Sequence, residues 1–406
     1  MKKIAVITPF LAQGGLEKVA VTGAKELEAY YDVTMIVFDT YKIDYPYEGK
    51  LIDLGIAFND RNIFKRVFNL LRISLKLRKI KKEQGFDLLI VHGELANLSA
   101  VFSGSGNHIV VIHENRFSAI KDIQSKFFSL VSKRIYHAKN TQKIVTVSKG
   151  IAEEFVMRFG LTKNQVITIY NPYEIETIQK KSQEPMERYG ELFAYDVLIA
   201  AARLTEQKGH RYLLQIFQQY VKHHPKTKLL LLGDGELRDM LIIYAKALEL
   251  KVFSAFDEDV LSLDYDVYFI GFHTNPYQYI ARSNLFIMTS LWEGFGNTIV
   301  ESMACGTPVI STDCPSGPKE IIAPEFEGDV SEETFARYGV IMPAFEKEKE
   351  MLSDESVRQW HTAIEKLLGD SEAIETYREK GKLRAKDFEM RGIMREWKEV
   401  IEESLS

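Results

Sequence analysis

Cysteine is scarce: among 406 residues only Cys305 and Cys314 occur. Two thiols cannot build a disulfide framework, and their spacing matches no zinc-ligand pattern, so a reducing compartment is expected. No stretch reaches the roughly 18 to 20 consecutive apolar residues that span a bilayer, so no integral membrane segment is expected. The opening "MKKIAVITPFLAQGG" starts basic, as signal peptides do. Pro9 then breaks its apolar run, and Gly14 and Gly15 follow with no small-residue cleavage pattern. It reads as a buried strand. The dinucleotide pattern G-x-G-x-x-G is missing after that strand, which weighs against a nicotinamide oxidoreductase. A strong net charge is missing too, at −5, but its distribution is uneven. Residues 1–180 carry 26 basic and 18 acidic side chains, the remainder 26 and 39, so the halves are expected to face different partners.

What the chain does have is length, a 46% hydrophobic content and a regular alternation of short apolar runs with amphipathic stretches. That is enough for two domains, each with its own core. "KIAVITPF", "VTMIVF", "DLLIVHG", "HIVVIH" and "KIVTVS" are continuous β-rich runs separated by helical segments, the pattern of parallel βαβ units buried on both faces. After a polar stretch around 171–192 the pattern resumes with "VLIAAARL", "KLLLLGDGE", "VYFIGF", "LFIMTS" and "TPVISTD". Two doubly wound, Rossmann-like α/β domains are expected, over 1–178 and 190–387. The segment "FEMRGIMREWKEVIEESL" carries Trp397 on an apolar helical face and is long enough for 388–406 to return to the first domain. Ligands of such folds bind at the carboxyl ends of the strands, here in a cleft between two sheets.

Several stretches place polar groups at such ends. Gly14 and Gly15, in "PFLAQGGLEKVA", lie between the first strand and the first helix, where glycine lets backbone amides approach an anion or sugar; a plain tight turn is the alternative. Arg203 and Lys208, in "ARLTEQKGH", are suited to hold a diphosphate as a fork and a point charge, or else are solvated surface cations. "EGFGNTIVE" follows the strand "LFIMTSLW" and opens a helix, so Phe295, Gly296, Asn297 and Thr298 form an anion-attracting helix start. Glu293 lies at the strand end, where carboxylates meet substrate. Glu301 either meets ligand or forms a capping box with Thr298. The two carboxylates suit the two ends of a sugar nucleotide better than one scissile bond. His113 ends the run "HIVVIH"; it is either a ligand contact or a packed histidine. The acidic clusters at 257–259 and 264–266 have the look of a metal-binding D-x-D, but a solvated loop is the expectation, and no metal is expected.

"ARLTEQKG", "LLGDGELRDML", "FIGF", "EGFGNTIVESMACGTPVIST" and "SGPKEI", in that order, resemble the retaining glycosyltransferases of family 4, of GT-B fold, whose signature is E-x7-E. The first domain matches less specifically through "GGLEKVA", "IHEN" and "IVTVSKG". The resemblance implies that Glu293 meets the transferred sugar, Glu301 the ribose, Arg203 and Lys208 the diphosphate, and His113 the sugar near its anomeric carbon. It further implies a UDP-linked hexose or N-acetylhexosamine as donor, no cofactor, and a lipid-linked oligosaccharide or lipopolysaccharide as acceptor in bacterial surface glycan assembly. A non-catalytic sugar-nucleotide-binding or scaffolding protein of the same fold is the other reading.

Residues 61–82 hold nine basic and no acidic side chains among Ile63, Val67, Leu70, Leu71, Leu75 and Leu77. The expectation is a helix with its apolar face inward and its basic flank on an anionic membrane surface, in a cytoplasmic protein bound peripherally to the membrane. Nucleic-acid binding is not expected, because no recognition module accompanies the patch.

Overall fold

The computed structural model describes residues 1–12, 14–57, 63–104, 106–114, 133–186, 188–257, 260–346 and 349–406. The chain forms two compact units, Met1–Pro172 with Met390–Ser406, and Tyr173–Glu389. The first break falls earlier than residue 178, so the helix after it belongs to the second unit.

In the first unit the elements are β1 (Lys3–Thr8), α1 (Gly15–Leu27), β2 (Asp32–Val37), β3 (Lys50–Asp53), α2 (Ile63–Gln84), β4 (Leu88–His92), α3 (Glu94–Phe102), β5 (His108–Ile112), β6 (Thr141–Thr146), α4 (Lys149–Phe159) and β7 (Val166–Thr168). The strands form one sheet in the order β3-β2-β1-β4-β5-β6-β7, with every pairing parallel. Alternation along a strand sends successive side chains to opposite layers. Ile4, Val6, Leu88 and Ile90 enter one apolar cluster, while Ala5, Ile7, Leu89 and Val91 enter another on the opposite face. With both faces covered, no polar alternation survives, which is why these strands read as continuous apolar runs.

The second unit comprises α5 (Ile175–Ser182), β8 (Asp196–Ala201), α6 (His210–His223), β9 (Thr227–Leu232), α7 (Arg238–Ala247), β10 (Val252–Ser254), β11 (Val267–Gly271), α8 (Tyr277–Arg282), β12 (Leu285–Met288), α9 (Asn297–Cys305), β13 (Val309–Thr312), α10 (Pro318–Ile322), β14 (Thr334–Phe335), β15 (Val340–Met342), α11 (Asp354–Gly369) and α12 (Ser371–Ala385). Its sheet runs β10-β11-β9-β8-β12-β13-β15-β14, and only the two-residue β14 pairs antiparallel among the described residues. The chain enters and leaves this unit side by side: the Tyr173 N–H donates to the Phe388 carbonyl at 2.9 Å.

The last helix, α13 (Met390–Leu405), rejoins the first unit as expected. Met390, Ile393, Met394, Trp397, Val400 and Ile401 recur at helical spacing, so one face carries them all into the cluster of Ile4, Val6 and Ile90.

α2 departs from expectation. Ile73 and Leu77 are buried against the sheet and Leu70 packs beside them, but Val67, Phe68, Leu71 and Leu75 are exposed. The apolar residues divide between two faces because the inward row follows 70, 73 and 77, and positions 67, 68, 71 and 75 fall on the other side of a 3.6-residue turn. Arg72 lies over the Phe68 ring at 5.8 Å on this outer face.

Candidate active site

In each sheet the strand order reverses direction beside the unit's first strand, between β1 and β4 and between β8 and β12. The loops leaving such neighbours part to opposite faces and open a crevice at the carboxyl ends of the strands. Arg203 and Lys208 follow β8, and Glu293 follows β12, so topology brings both sequence stretches to one switch point.

The two loops are laced together by backbone. Leu291 N–H donates to the Gln207 carbonyl at 2.8 Å, the Gln207 side-chain amide donates to the Trp292 carbonyl at 2.9 Å, and the Thr289 hydroxyl donates to the Lys208 carbonyl at 3.2 Å. Gly209 makes this approach possible: its φ is +62°, and a Cβ there would overlap the Thr289 carbonyl oxygen.

Glu293 is buried, 5% exposed. One carboxylate oxygen, Oε1, accepts from Lys208 Nζ at 2.6 Å and from Ser290 Oγ at 2.6 Å. Thr312 fixes the strand end by donating its hydroxyl to the Ser290 carbonyl at 2.7 Å. A buried carboxylate is costly unless paired and hydrogen-bonded, and here it is both. Its Oε2 has no hydrogen-bond partner among the described residues, so one edge of the carboxylate is anchored and the other is open to a ligand. The buried Cys314 thiol alongside has its pKa pushed well up, first by burial and then by the Glu293 charge, which makes it an inert packing group. Lys208 and Glu293 were expected on different parts of a ligand; the structure pairs them directly. Arg203 is exposed; its carbonyl accepts from the Thr205 N–H at 2.9 Å, and its guanidinium has no ion-pair or hydrogen-bond partner among the described residues.

The helix α9 begins at Asn297, with Gly296 at its cap in a left-handed conformation, φ +98°, and no side-chain cap. The capping-box alternative is therefore overturned: Thr298 lies inside the helix, its carbonyl accepting from Ser302 Oγ at 2.7 Å. Glu301, 7% exposed, instead accepts from the Tyr277 hydroxyl of α8 at 3.3 Å. The first-turn amides of α9 keep their positive end for an anion. Asn297 Oδ1 accepts from the Tyr173 hydroxyl at 2.6 Å, and the buried Phe295 ring meets Phe388 edge-on at 5.3 Å.

In the first unit, His113 is the first residue after β5, and His92 ends the neighbouring β4. Their rings are hydrogen-bonded, His92 Nδ1 to His113 Nε2, at 2.9 Å. Burial pushes the His113 pKa down to about 4, so the ring is neutral at physiological pH. Gly14 caps α1 with no side-chain bond, and its φ of 175° is ordinary extended backbone. A Cβ at Gly14 would strike the Glu17 carboxylate, a movable side chain. Gly15 is the first residue of α1.

Of the acidic clusters, Asp264 accepts from Ser262 Oγ at 3.1 Å and Asp266 from the Lys251 N–H at 2.9 Å, while residues 258 and 259 lie outside the described residues. No group of three His, Cys, Asp or Glu side chains is arranged to hold a metal among the described residues. The sequence reading missed Ser290, Tyr277, Tyr173 and His92. Only His92 had a usable signal, its place at the end of a buried run just like that of His113.

Two doubly wound units, with a paired carboxylate and lysine beside an uncapped helix start at the second unit's switch point, are the GT-B architecture. Residues 13–177 match the family described as Glycosyltransferase Family 4 and residues 195–370 that described as Glycosyl transferases group 1, and the chain belongs to this glycosyltransferase family. It is 31% identical to MJ1059, an uncharacterized glycosyltransferase of Methanocaldococcus jannaschii, over 86% of this chain and 87% of that one. It is 27% identical, over 98% of each chain, to the N-acetylgalactosamine-N,N'-diacetylbacillosaminyl-diphospho-undecaprenol 4-alpha-N-acetylgalactosaminyltransferase of Campylobacter jejuni. Among solved structures, Anabaena Alr3699/HepE in complex with UDP and glucose superposes with a TM-score of 0.72 at 16% identity, covering 99% of this chain and all of that one; that likeness is one of fold.

Proposed function

We propose that this glycosyltransferase moves a hexose or N-acetylhexosamine from a UDP-sugar to a lipid-linked oligosaccharide or lipopolysaccharide acceptor, with retention at the anomeric carbon and without a divalent metal. The observation that carries the reading is Glu293, anchored through one oxygen by Lys208 and Ser290 and open through the other, at the switch point beside the α9 N-terminus. The Campylobacter relative, whose name gives a diphospho-undecaprenol-linked acceptor, supports the acceptor class, and the UDP and glucose bound to HepE support the donor class.

In this scheme Glu293 Oε2 takes a hydroxyl of the transferred sugar. Glu301 takes the ribose. Arg203, Lys208 and the amides from Gly296 to Thr298 take the diphosphate, and the family resemblance assigns a donor contact to Gly14 and Gly15 of the first unit. Departure of the nucleoside diphosphate leaves an oxocarbenium-like sugar and growing charge on the β-phosphate. Cations and amides already in place stabilise that charge, an effect of about 3 kcal/mol per well-placed donor. The acceptor hydroxyl then attacks the face the phosphate leaves, and a phosphate oxygen receives its proton, so no covalent enzyme intermediate is required. The family resemblance assigns His113 of the first unit to the transferred sugar, and its neutral ring adds no positive charge to a cationic sugar.

The outer face of α2 suits a membrane-borne acceptor. Val67, Phe68, Leu71 and Leu75 present an apolar row flanked by exposed Arg66, Arg72, Lys76, Arg78 and Lys79, the composition of a helix that rests on anionic lipid at the cytoplasmic face.

The test is transfer of labelled sugar from a panel of UDP-sugars to a polyprenyl-diphosphate acceptor in anionic vesicles, with EDTA present. Label in the lipid fraction and co-sedimentation of the protein with the vesicles are expected. Glu293→Gln keeps an acceptor for Ser290 but removes the charge that Lys208 pairs with, so it should abolish transfer and lower the melting temperature while the protein stays folded; near-normal turnover by that variant rejects the role given to Glu293.

A further inference from the structure

The pairing of His92 with His113 supplies a function that neither the family motifs nor the expected site assigns. His92 ends β4 and is 4% exposed. It sits opposite Val111 in the register of β4 with β5, two residues before His113. The two rings are 5.1 Å apart and tilted by 31°, and the 2.9 Å contact between His92 Nδ1 and His113 Nε2 is the one hydrogen bond either ring makes among the described residues. Desolvation opposes charge on both.

We infer that His92 is a positioning residue that fixes the tautomer and ring orientation of His113 for glycosyl transfer; this rests on the transferase reading above. Two neutral imidazoles share one N–H across such a contact. If His92 donates, His113 carries its proton on Nδ1 and presents a donor there; if His113 donates, Nδ1 presents a lone pair. Either way, the nitrogen that His113 offers to a ligand is Nδ1, and its character is set by the proton on His92 rather than by His113 alone. The bond also opposes rotation about χ2, which is broad for histidine and would otherwise exchange Nδ1 for the Cδ2 carbon at the ligand-facing edge. No bond to substrate is made by His92 itself.

The geometry separates two isosteres. His92 engages through Nδ1, the position an asparagine amide reaches, whereas a glutamine amide reaches the place of Nε2. His92→Leu should lower kcat about tenfold, the factor that corresponds to one neutral hydrogen bond of about 1.4 kcal/mol, while the KM for the UDP-sugar stays within about twofold. His92→Asn should recover most of kcat and His92→Gln should not. In histidine-labelled protein, long-range proton–nitrogen spectra at pH 7 should show His113 as a single tautomer that becomes mixed in His92→Leu. Unchanged His113 ring signals in that variant overturn the inference, as does an unchanged kcat in an active preparation or equal recovery by asparagine and glutamine. If the wild-type protein releases UDP from none of the UDP-sugars, the transferase reading fails and with it the kinetic role, while the spectra separately decide whether His92 sets the His113 tautomer.

Discussion

Gly209→Ala is a perturbation whose size follows from the structure. At φ +62° an alanine adopts a left-handed conformation that costs about 1–2 kcal/mol. The added Cβ also overlaps the Thr289 carbonyl oxygen, backbone that can yield only by moving the end of β12 away from the turn that carries Lys208. Overpacking of this kind costs a further 1–3 kcal/mol or so, which brings the expected loss to about 2–5 kcal/mol. Gly328→Ala is the matched control: it lies in the same unit at φ +92°, and nothing stands within 4 Å of its Cβ, so the backbone penalty alone should appear. Urea unfolding of both variants reads the difference, with the transition of the second unit followed separately because the chain has two units. Uridine nucleotide binding reads the consequence, since displacement of Thr289 separates Lys208 from Glu293; Gly209→Ala should bind at least tenfold more weakly and Gly328→Ala normally, a factor of ten being about 1.4 kcal/mol. Equal destabilisation of the two variants, or normal nucleotide affinity in Gly209→Ala, refutes the account of the laced loops.

Stability should fall on acidification from the pH at which histidines of the unfolded chain begin to bind protons. His108 and His210 are buried, and desolvation pushes their pKa values down from 6.5 to about 4 and about 3. The unfolded chain binds protons at these sites below about 6.5 while the folded chain does not, so stability is full above that pH and is lost as pH falls toward 4, by about 3 kcal/mol per group. A urea midpoint that stays flat from pH 7 to 4.5 contradicts this. Glu301→Gln keeps an acceptor for the Tyr277 hydroxyl and removes no helix cap, so the melting temperature should move by less than about 2 °C, as for a change under about 0.5 kcal/mol. Nucleotide affinity, measured by calorimetry, should drop several-fold; a lowered melting temperature with unchanged affinity reverses the assignment.

The sequence by itself determined the two α/β halves, because a strand covered on both faces must be apolar throughout and is therefore visible as an unbroken run. It also determined the return of α13, whose Met390, Ile393, Met394, Trp397 and Ile401 keep strict helical spacing. The local order of Glu293, Gly296 and Asn297 placed a polar turn at a strand end, since such order is written in consecutive residues. The tertiary structure decided what depends on residues far apart in the chain. Lys208 and Glu293 are 85 positions apart and meet only because β8 and β12 are neighbours at the switch point. Glu301 finds Tyr277 rather than Thr298 because the helix starts two residues earlier than a Thr298 cap requires, at Asn297. His92 meets His113 through the β4–β5 register. The outward apolar row of α2 became visible only once the sheet had chosen which side of that helix to bury, since periodicity shows that a helix has faces and packing alone says which face is covered.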